Sequence, residues 1–341
     1  MAKSAFLRSF KVLSRILTRV LAVTGLFAAA LFAMLTVPLA DLPELASIST
    51  TVRTVDRSDM PDVNRFQARD GTTLGYRHYP AREAVAARVA VLVHGSSGSS
   101  TSVHALARAL AGTGVETFAP DIRGHGVSGT RGDIGYPGQL EDDMADLLEE
   151  IRKVRPGAPV TLLGHSSGGA FALSVAASPV GNGFERTVMI APYLGWDAPT
   201  SRPNSGGWAQ ADVPRVVALE LLGKLGFRGA DALPALAFAV AADSRMRLTP
   251  HYSYRLMRNF ATVDFRADIA AARTPLALVA AGDDELMWSD HYPAAVGPAV
   301  AVRVIPGVNH MAVVSAPDAV AAIARDVANW RGGAPLVSAA P

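Results

Sequence analysis

The chain has 341 residues, of which 50% are hydrophobic and 18% are charged, a composition typical of globular proteins with a large core. It contains no cysteine, which excludes disulfide bonds, a thiol nucleophile and thiolate metal ligands. The formal net charge of +2 is unevenly placed, because the residues before Asp41 contribute +5 and leave −3 for the rest of the chain. This distribution gives no support to nucleic-acid binding.

The N-terminus predicts a membrane anchor. Residues 1–19 form a basic segment, and Val20–Ala40 follows with 21 residues that carry no charge. As a helix the apolar run spans roughly 30 Å, the hydrocarbon thickness of a bilayer. The positive-inside rule then keeps residues 1–19 in the cytoplasm and places the rest of the chain outside. Secretion after cleavage of a signal peptide is the alternative, disfavoured by the length of the run and by Pro38 at position −3 of a cut after Ala40.

The remainder is predicted to be one α/β domain. Residues 41–62 are polar and irregular in pattern and predict a linker, and residues 63–331 form the domain. Asp70-Gly71 predicts a hairpin. Apolar strands then alternate with helical periodicity, which indicates a mainly parallel central sheet with helices on both faces. The predicted strands are Arg88–Val93, Val115–Ala119, Val160–Leu163, Thr187–Ile190, Leu276–Ala280 and Val300–Ile305, and the predicted helices are Ser102–Ala111, Gln139–Val154, Gly169–Ala177 and Asp318–Trp330.

The alternation is interrupted once, by an insertion at about 196–273. It is rich in Ala and Leu and is predicted to be helical at Pro214–Leu225 and Ala230–Ala242. Because it leaves the sheet after one core strand and returns before the next, it is predicted to cover the carboxyl ends of the strands as a lid, where ligands bind in such sheets. Residues 332–341 are predicted to be a disordered tail.

The segment Gly164-His165-Ser166-Ser167-Gly168 has the pattern G-x-S-x-G between a buried strand and a helix. A serine on such a strand-to-helix turn is exposed above the sheet, and the next backbone N–H points from the helix N-terminus toward a developing oxyanion. Ser166 is therefore the candidate nucleophile, and Ser167 is a candidate oxyanion donor.

A serine nucleophile needs a general base and a carboxylate that orients it, in the chain order Ser, Asp or Glu, His. His310 follows the last strand and is the candidate base, with His291 in reserve. Asp284 follows the preceding strand and is the candidate acid. Alternation along an extended chain points Asp283 and Glu285 one way and Asp284 the other. The sequence does not determine which side faces the base, so Asp283 and Glu285 stay open as alternatives.

A second oxyanion donor is expected from the loop His94-Gly95-Ser96-Ser97-Gly98, which follows the first buried strand. Ser96 is the first choice and Ser97 the second. The loop lacks the lysine and spacing of a phosphate-binding loop, and the chain lacks a dinucleotide fingerprint and a cluster with metal-ligand spacing. No cofactor and no metal are therefore expected.

Five segments together resemble the α/β-hydrolases of the monoglyceride lipase, lysophospholipase and serine aminopeptidase-like group. The resemblance covers roughly residues 65–331 and implies an α/β-hydrolase fold, a Ser166–Asp284–His310 triad and oxyanion donors at Ser96 and Ser167. In the segment Gly282–Leu286, which contains the candidate acid, this chain differs slightly from the pattern, because such enzymes often have one more residue between the glycine and the aspartate. The matching segments are His94-Gly95, the D-x-R-G-H-G-x-S run at 121–128, Gly164–Gly169, Gly282–Leu286 and Asn309-His310.

The expected function is hydrolysis of carboxylic esters through an acyl-enzyme. Lipid-like esters such as monoacylglycerols or lysophospholipids are favoured by the apolar side chains of the insertion and by the predicted anchor. A short-chain carboxylesterase, a peptidase or amidase, and an acyltransferase remain alternatives on the same triad. A catalytically silent binding module is disfavoured because every required group is present. No partner protein can be inferred from the sequence.

Overall fold

The computed structural model describes residues 2–81, 88–240 and 247–329. Its α-helices are α1 Ala2–Thr36, α2 Ala46–Arg53, α3 His104–Gly112, α4 Gln139–Val154, α5 Ser167–Ala177, α6 Val213–Lys224, α7 Tyr254–Asn259, α8 Phe265–Ala271, α9 Tyr292–Val296 and α10 Pro317–Asn329. Short 3-10 segments lie at Ser100–Val103, Pro179–Gly183, Pro203–Gly207, Ser289–His291 and Ala312–Val314.

Two sheets are present in the described part of the chain. The larger has eight strands in the order β1-β2-β4-β3-β5-β6-β10-β11, and the smaller pairs β7, β8 and β9 within the insertion. Pairs from β4 to β11 are parallel, and only β1–β2 and β2–β4 in the large sheet are antiparallel. The strands are β1 Val63–Gln67, β2 Thr73–Tyr79, β3 Arg88–Val93, β4 Val115–Pro120, β5 Val160–His165, β6 Arg186–Ile190, β7 Ala209–Ala211, β8 Pro234–Phe238, β9 His251–Ser253, β10 Leu276–Ala281 and β11 Ala301–Ile305.

Helices cover both faces of the large sheet, as the sequence predicts. Strand β3 shows why, because alternate residues of a strand point to opposite faces. Ala90 and Leu92 pack with α3 and α10 in one hydrophobic cluster, whereas Val89, Val91 and Val93 pack with α4 and α5 in another. The fold prediction of a mainly parallel, doubly covered sheet is therefore confirmed.

Helix α1 contains residues 20–36 of the predicted apolar segment Val20–Ala40. Residues Leu13–Thr36 are long and apolar enough to cross a membrane, a test that a signal sequence also passes. The helix ends at Thr36 because Pro38 disfavours helical backbone in the residue before it. Leu35, near this end, packs against the cluster of Leu219, Ala235 and Tyr254 in the insertion.

The prediction of an irregular linker over residues 41–62 is wrong for part of the segment, which contains helix α2. Ile48 and Val52, four residues apart on this helix, are only 6% and 7% exposed. They join a hydrophobic cluster with Leu286 and Met287. An eight-residue helix has little stability by itself, so this packing is what holds it in place.

The insertion is less helical than predicted. Helix α6 agrees with the prediction at Pro214–Leu225, but residues 230–240 form a turn followed by strand β8, so the helix predicted at Ala230–Ala242 is wrong there. Periodicity does not separate a short apolar strand from a buried helix, and β8 pairs with β7 and β9 instead. Residues 241 and 242, the predicted helix end at Trp330 and the tail at 332–341 lie outside the described residues.

Candidate active site

Ser166 lies on the turn between β5 and α5. Its backbone has φ 55° and ψ −124°, a strained conformation for a residue other than glycine. The flanking glycines make the turn possible, because a Cβ on Gly164 would collide with the carbonyl oxygen of Gly168, and a Cβ on Gly168 would collide with that of His94. The local geometry is that of a nucleophile elbow.

The turn is fixed on both sides. The N–H of Ser166 donates to the carbonyl of Ile190 at 2.9 Å, and the carbonyl of Ser166 accepts from Gly169 N–H at 2.9 Å. Ser167 is the first residue of α5, so its N–H has no carbonyl within the helix to bond. This donor therefore remains at the positive end of the helix dipole, next to the Ser166 side chain.

His310 and Asp284 form a buried pair. His310 Nδ1–H donates to Asp284 Oδ2 at 2.8 Å. The other carboxylate oxygen, Oδ1, accepts the N–H groups of Leu286 at 2.8 Å and Met287 at 2.9 Å. Three donors therefore hold the carboxylate in one orientation.

The electrostatics of the pair favour its charged forms. Burial opposes ionisation of Asp284, but the charge of His310 and the hydrogen bonds from His310, Leu286 and Met287 outweigh burial and lower the pKa of this carboxyl. Burial likewise disfavours the imidazolium of His310. The charge of Asp284 and its hydrogen bond outweigh that effect, so the pKa of His310 is raised.

The two neighbouring carboxylates occupy different positions. Asp283 is exposed and its backbone N–H bonds the carbonyl of Val308. Glu285 is half-buried, and its Oε2 accepts the backbone N–H of His310 at 2.9 Å. Of the three acidic residues left open by the sequence, Asp284 is the one that contacts the imidazole. Glu285 instead holds the main chain of His310 through its hydrogen bond to the backbone N–H.

The remaining histidines near the site are hydrogen-bonded supports. His165 Nε2–H donates to the carbonyl of His310 at 2.9 Å, and burial lowers its pKa to about 3, so it is neutral. His94 Nδ1–H donates to the carbonyl of Gly95 at 2.7 Å, while its Nε2 accepts the N–H of Ile122 at 3.1 Å. The reserve candidate His291 donates to the carbonyl of Pro199 and is exposed.

The loop after β3 lies against Ser166. A Cβ built on Gly95 would be 3.0 Å from the Cβ of Ser166, so the main chain of this loop passes close to the nucleophile candidate. Ser97 has φ 63°, and its N–H donates to the Tyr252 hydroxyl at 2.6 Å. The backbone N–H of Ser97, the second choice for the oxyanion donor, is therefore already hydrogen-bonded to Tyr252. Ser96 borders the site, with its Oγ accepting the indole N–H of Trp208 at 2.9 Å.

A buried hydrogen-bond chain holds this loop to the segment at 121–128. The hydroxyl of Tyr252 accepts from Ser97 N–H and donates to Nε2 of His125, whose Nδ1–H bonds the carbonyls of Ile122 and Arg123 at 3.2 Å. Asp121 adds a second connection, because its Oδ1 accepts the N–H of Ser100 at 2.8 Å. The 121–128 segment therefore acts as a scaffold for the loop that carries Ser96.

Two cavities meet at Ser166. The first, here named the α2 cavity, has a volume of about 370 Å³ and is bordered by helix α2 and by His310. The second, the insertion cavity, has a volume of about 800 Å³ and is bordered by Ser167 and by the insertion. Both are lined by Ser96, Ser166, Trp208 and Leu286. Of the five candidate residues, Ser96 and Ser166 line both cavities, His310 lines the first and Ser167 the second, while Asp284 bonds the ring of His310. Among the described residues, no group of three or more His, Asp or Glu could hold a metal ion.

The order of the strands in the large sheet, with the Ser166 turn between β5 and α5, is that of an α/β-hydrolase. Solved structures agree in fold. A soluble variant of monoglyceride lipase from Saccharomyces cerevisiae, in complex with a substrate analog, superposes with a TM-score of 0.58 at 18% identity, covering 80% of this chain and 94% of that one. A monoacylglycerol lipase from Paleococcus ferrophilus superposes with a TM-score of 0.51 at 17% identity, covering 75% and 97%.

Within this class, the chain belongs to the family described as serine aminopeptidase, S33, whose model matches residues 84–314, well over half of the chain. Human monoglyceride lipase is 34% identical over 154 residues, which cover 45% of this chain and 49% of the human protein. A monoglyceride lipase homolog of monkeypox virus is 32% identical over 106 residues, or 31% and 38% of the two chains. The chain therefore spans about half the length, or less, of these curated relatives. The resemblance predicted from the sequence is confirmed.

Several residues of the site escape sequence reasoning. Glu285 is identified only as an alternative acid, and Tyr252 carries no motif that would single it out. Helix α2 is the largest omission. The spacing of Leu45, Ile48, Val52 and Val55 is the one signal of a buried helical face in the predicted linker.

Proposed function

We propose that the protein is a serine hydrolase of carboxylic esters in which Ser166, His310 and Asp284 form the catalytic triad. The observation that carries the proposal is the buried contact of 2.8 Å between His310 Nδ1 and Asp284 Oδ2, beside a serine in nucleophile-elbow geometry. This hydrogen bond sets the tautomer of His310, so Nε2 has a free lone pair for the serine proton. Membership of the family supports the same reaction.

In the acylation step, Ser166 Oγ attacks the carbonyl carbon of the ester while His310 Nε2 takes the hydroxyl proton. The resulting oxyanion is stabilised by the backbone N–H groups of Ser96 and Ser167, the proposed oxyanion hole. The bond between the carbonyl carbon and the alcohol oxygen then breaks, and His310 gives its proton to the departing alcohol. Asp284 stabilises the transient imidazolium without taking its proton.

In the deacylation step, water replaces the alcohol. His310 takes a proton from water, the hydroxide attacks the acyl carbon, and the acid leaves as Ser166 Oγ recovers the proton. Each step transfers one proton through His310. The three residues and the two backbone donors therefore account for the reaction.

We infer that the substrate is a lipid-like ester such as a monoacylglycerol. The insertion cavity has an apolar part, formed by Trp196, Val213, Leu236 and Phe238, beside a polar part that includes Arg202, Asn204 and Gln210. The apolar part would hold the acyl chain. The named relatives are monoglyceride lipases, which supports the same class. The insertion at 196–273 would then act as the lid over the acyl chain.

We further propose that α1 anchors the domain to a membrane, with residues 1–19 in the cytoplasm and residues 41–341 outside. The apolar window Leu13–Thr36 and the basic residues around its start support this topology. An anchor holds the site near a source of lipid esters. Protease added to spheroplasts should digest the domain, and full protection would contradict this orientation.

The substrate proposal is tested by hydrolysis. Full-length protein in detergent is given 1-monoacylglycerols of graded chain length and, in parallel, an aminoacyl p-nitroanilide. Fatty acid release that requires Ser166 and prefers medium or long chains is expected. Cleavage of the anilide with no release from any glyceride would instead favour the peptidase alternative.

A further inference from the structure

Helix α2 lies outside the residues that the family model matches, yet it forms one wall of the cavity that contains Ser166 and His310. Ile48 and Val52 face this cavity and are almost fully buried. Ser49 and the ion pair between Arg53 and Glu44 also line it, with the charged atoms 2.5 Å apart. The wall therefore has an apolar part and a polar part.

The helix is fixed to the site at both ends. At its start, the N–H of Leu45 donates to the carbonyl of Ala239 in the insertion at 3.0 Å. Toward its end, Asn309 Nδ2–H donates to Thr51 Oγ1 at 3.0 Å. Asn309 directly precedes His310, so the wall and the proposed base share a connection.

The position of His310 indicates which part of a substrate meets this wall. A general acid must lie within hydrogen-bond reach of the oxygen that it protonates. Of the two sets of lining residues, only that of the α2 cavity includes His310, whereas the insertion cavity includes Ser167. The departing alcohol therefore belongs in the α2 cavity, and the acyl chain belongs in the insertion cavity.

We propose that α2 is the binding wall for the leaving alcohol and determines which alcohols the enzyme releases. The inference rests on the proposed function. Ile48 and Val52 contact the carbon skeleton of the alcohol, while Ser49 and Arg53 face its hydroxyl or other hydrogen-bonding groups. The substrate class is thereby narrowed to esters of alcohols that combine a carbon skeleton with polar groups at the far end.

The first test enlarges the wall in the full-length protein. Val52→Phe is compared with Val213→Phe, the same change in the insertion cavity. Both are assayed on one acyl chain esterified to alcohols of increasing size and on one alcohol esterified to acyl chains of increasing length.

Val52→Phe should lower kcat/KM for the largest alcohol at least tenfold relative to the smallest and keep the order of preference among acyl chains. Val213→Phe should keep the order of alcohols. An effect of Val52→Phe on acyl selectivity alone, or on neither series, would overturn the proposal.

The second test does not require hydrolysis. Because the chain has no cysteine, Ser49→Cys introduces a single thiol that lines the cavity, and Ser47→Cys introduces an exposed thiol on the same helix. In a Ser166→Ala background, the ether 1-O-octylglycerol should slow maleimide labelling of Cys at position 49 several-fold and leave position 47 unaffected.

The two experiments separate the two proposals. Protection at position 49 in a protein that hydrolyses no ester would reject the proposed function and retain α2 as a ligand-binding wall. Ester hydrolysis without protection and without a change in alcohol selectivity would retain the function and reject the wall.

Discussion

The reacting groups and the segments that cover them are held in place by different interactions. At the sheet edge, His310 is held by Asp284 through its ring and by Glu285 through its backbone N–H. Helix α2, by contrast, is held mainly by apolar packing of Ile48 and Val52, with a few hydrogen bonds at its ends. Directional bonds fix the chemistry, whereas packing shapes the cavities. Substitutions at the carboxyl edge of the sheet should therefore lower the rate of hydrolysis, whereas substitutions in helix α2 or the insertion should change which substrates are preferred.

The largest effect is expected for Ser166→Ala. Loss of a serine nucleophile costs on the order of 10⁶-fold in kcat in serine proteases, and a similar loss is expected for ester hydrolysis. Ser167→Ala is the matched control, because the proposed role of Ser167 uses its backbone N–H, which alanine retains. Steady-state kinetics on one ester compares them. Equal losses in both variants would contradict the assignment.

A smaller loss, about 10⁴-fold in kcat, is expected for Asp284→Asn, because the tautomer and charge of His310 are then no longer supported. The pKa of His310 should also fall once the carboxylate is gone, which moves the acid limb of kcat/KM to lower pH. Asp283→Asn and Glu285→Gln are the controls and should stay within a few-fold of wild type. A 10⁴-fold loss in either control instead would reassign the acid.

Tyr252→Phe tests the hydrogen bonds by which strand β9 of the insertion holds the loop after β3 and the segment at 121–128. It removes the partner of both Ser97 N–H and His125 Nε2 in a buried site. Each unsatisfied buried group costs about 1–3 kcal/mol, so the free energy of unfolding should fall by at least that amount in urea titrations. Tyr136→Phe removes a hydroxyl that bonds the partly exposed carboxylate of Asp142, which water can then solvate, so it should lower the free energy of unfolding less than Tyr252→Phe does. Equal free energies of unfolding for the two variants would show that the hydrogen bonds of Tyr252 contribute nothing to stability.

The smallest expected effect is on the pH profile of the wild-type protein. His310 must be neutral to accept the serine proton, and its pKa is raised by Asp284 despite burial. Activity should therefore fall as pH decreases through a midpoint above about 6.5, the ordinary value for histidine. A midpoint of kcat/KM below that value would contradict the description of the His310–Asp284 pair.

Most of the sheet could be predicted from the sequence because its strands are continuous apolar runs and its helices have one apolar face. Helix α4 has the predicted bounds, and strand β3 has them as well. The hairpin β1–β2 forms around Asp70-Gly71 as its turn residues indicate. These elements are encoded locally, so local patterns are sufficient.

Helix α2 and the insertion, which lie over the site, could not be predicted from local patterns in the same way. Helix α2 is short and polar on its outer side, and only packing within the cluster that includes Leu286 and Met287 makes Ile48 and Val52 core residues. Strand β8 is apolar on both faces, which leaves strand and helix equally compatible with its sequence. The choice between Asp284 and its neighbours depends on the turn after β10, which no local pattern describes. Long-range packing decides all of these features.

The central claim is that Ser166 is the nucleophile of a serine hydrolase. A fluorophosphonate probe added to the folded full-length protein, followed by digestion and mass spectrometry, tests it directly. A single adduct on Ser166, absent after Ser166→Ala and strongly slowed by Asp284→Asn, is the predicted result. An adduct on a different residue, or no adduct on folded protein, would contradict the claim.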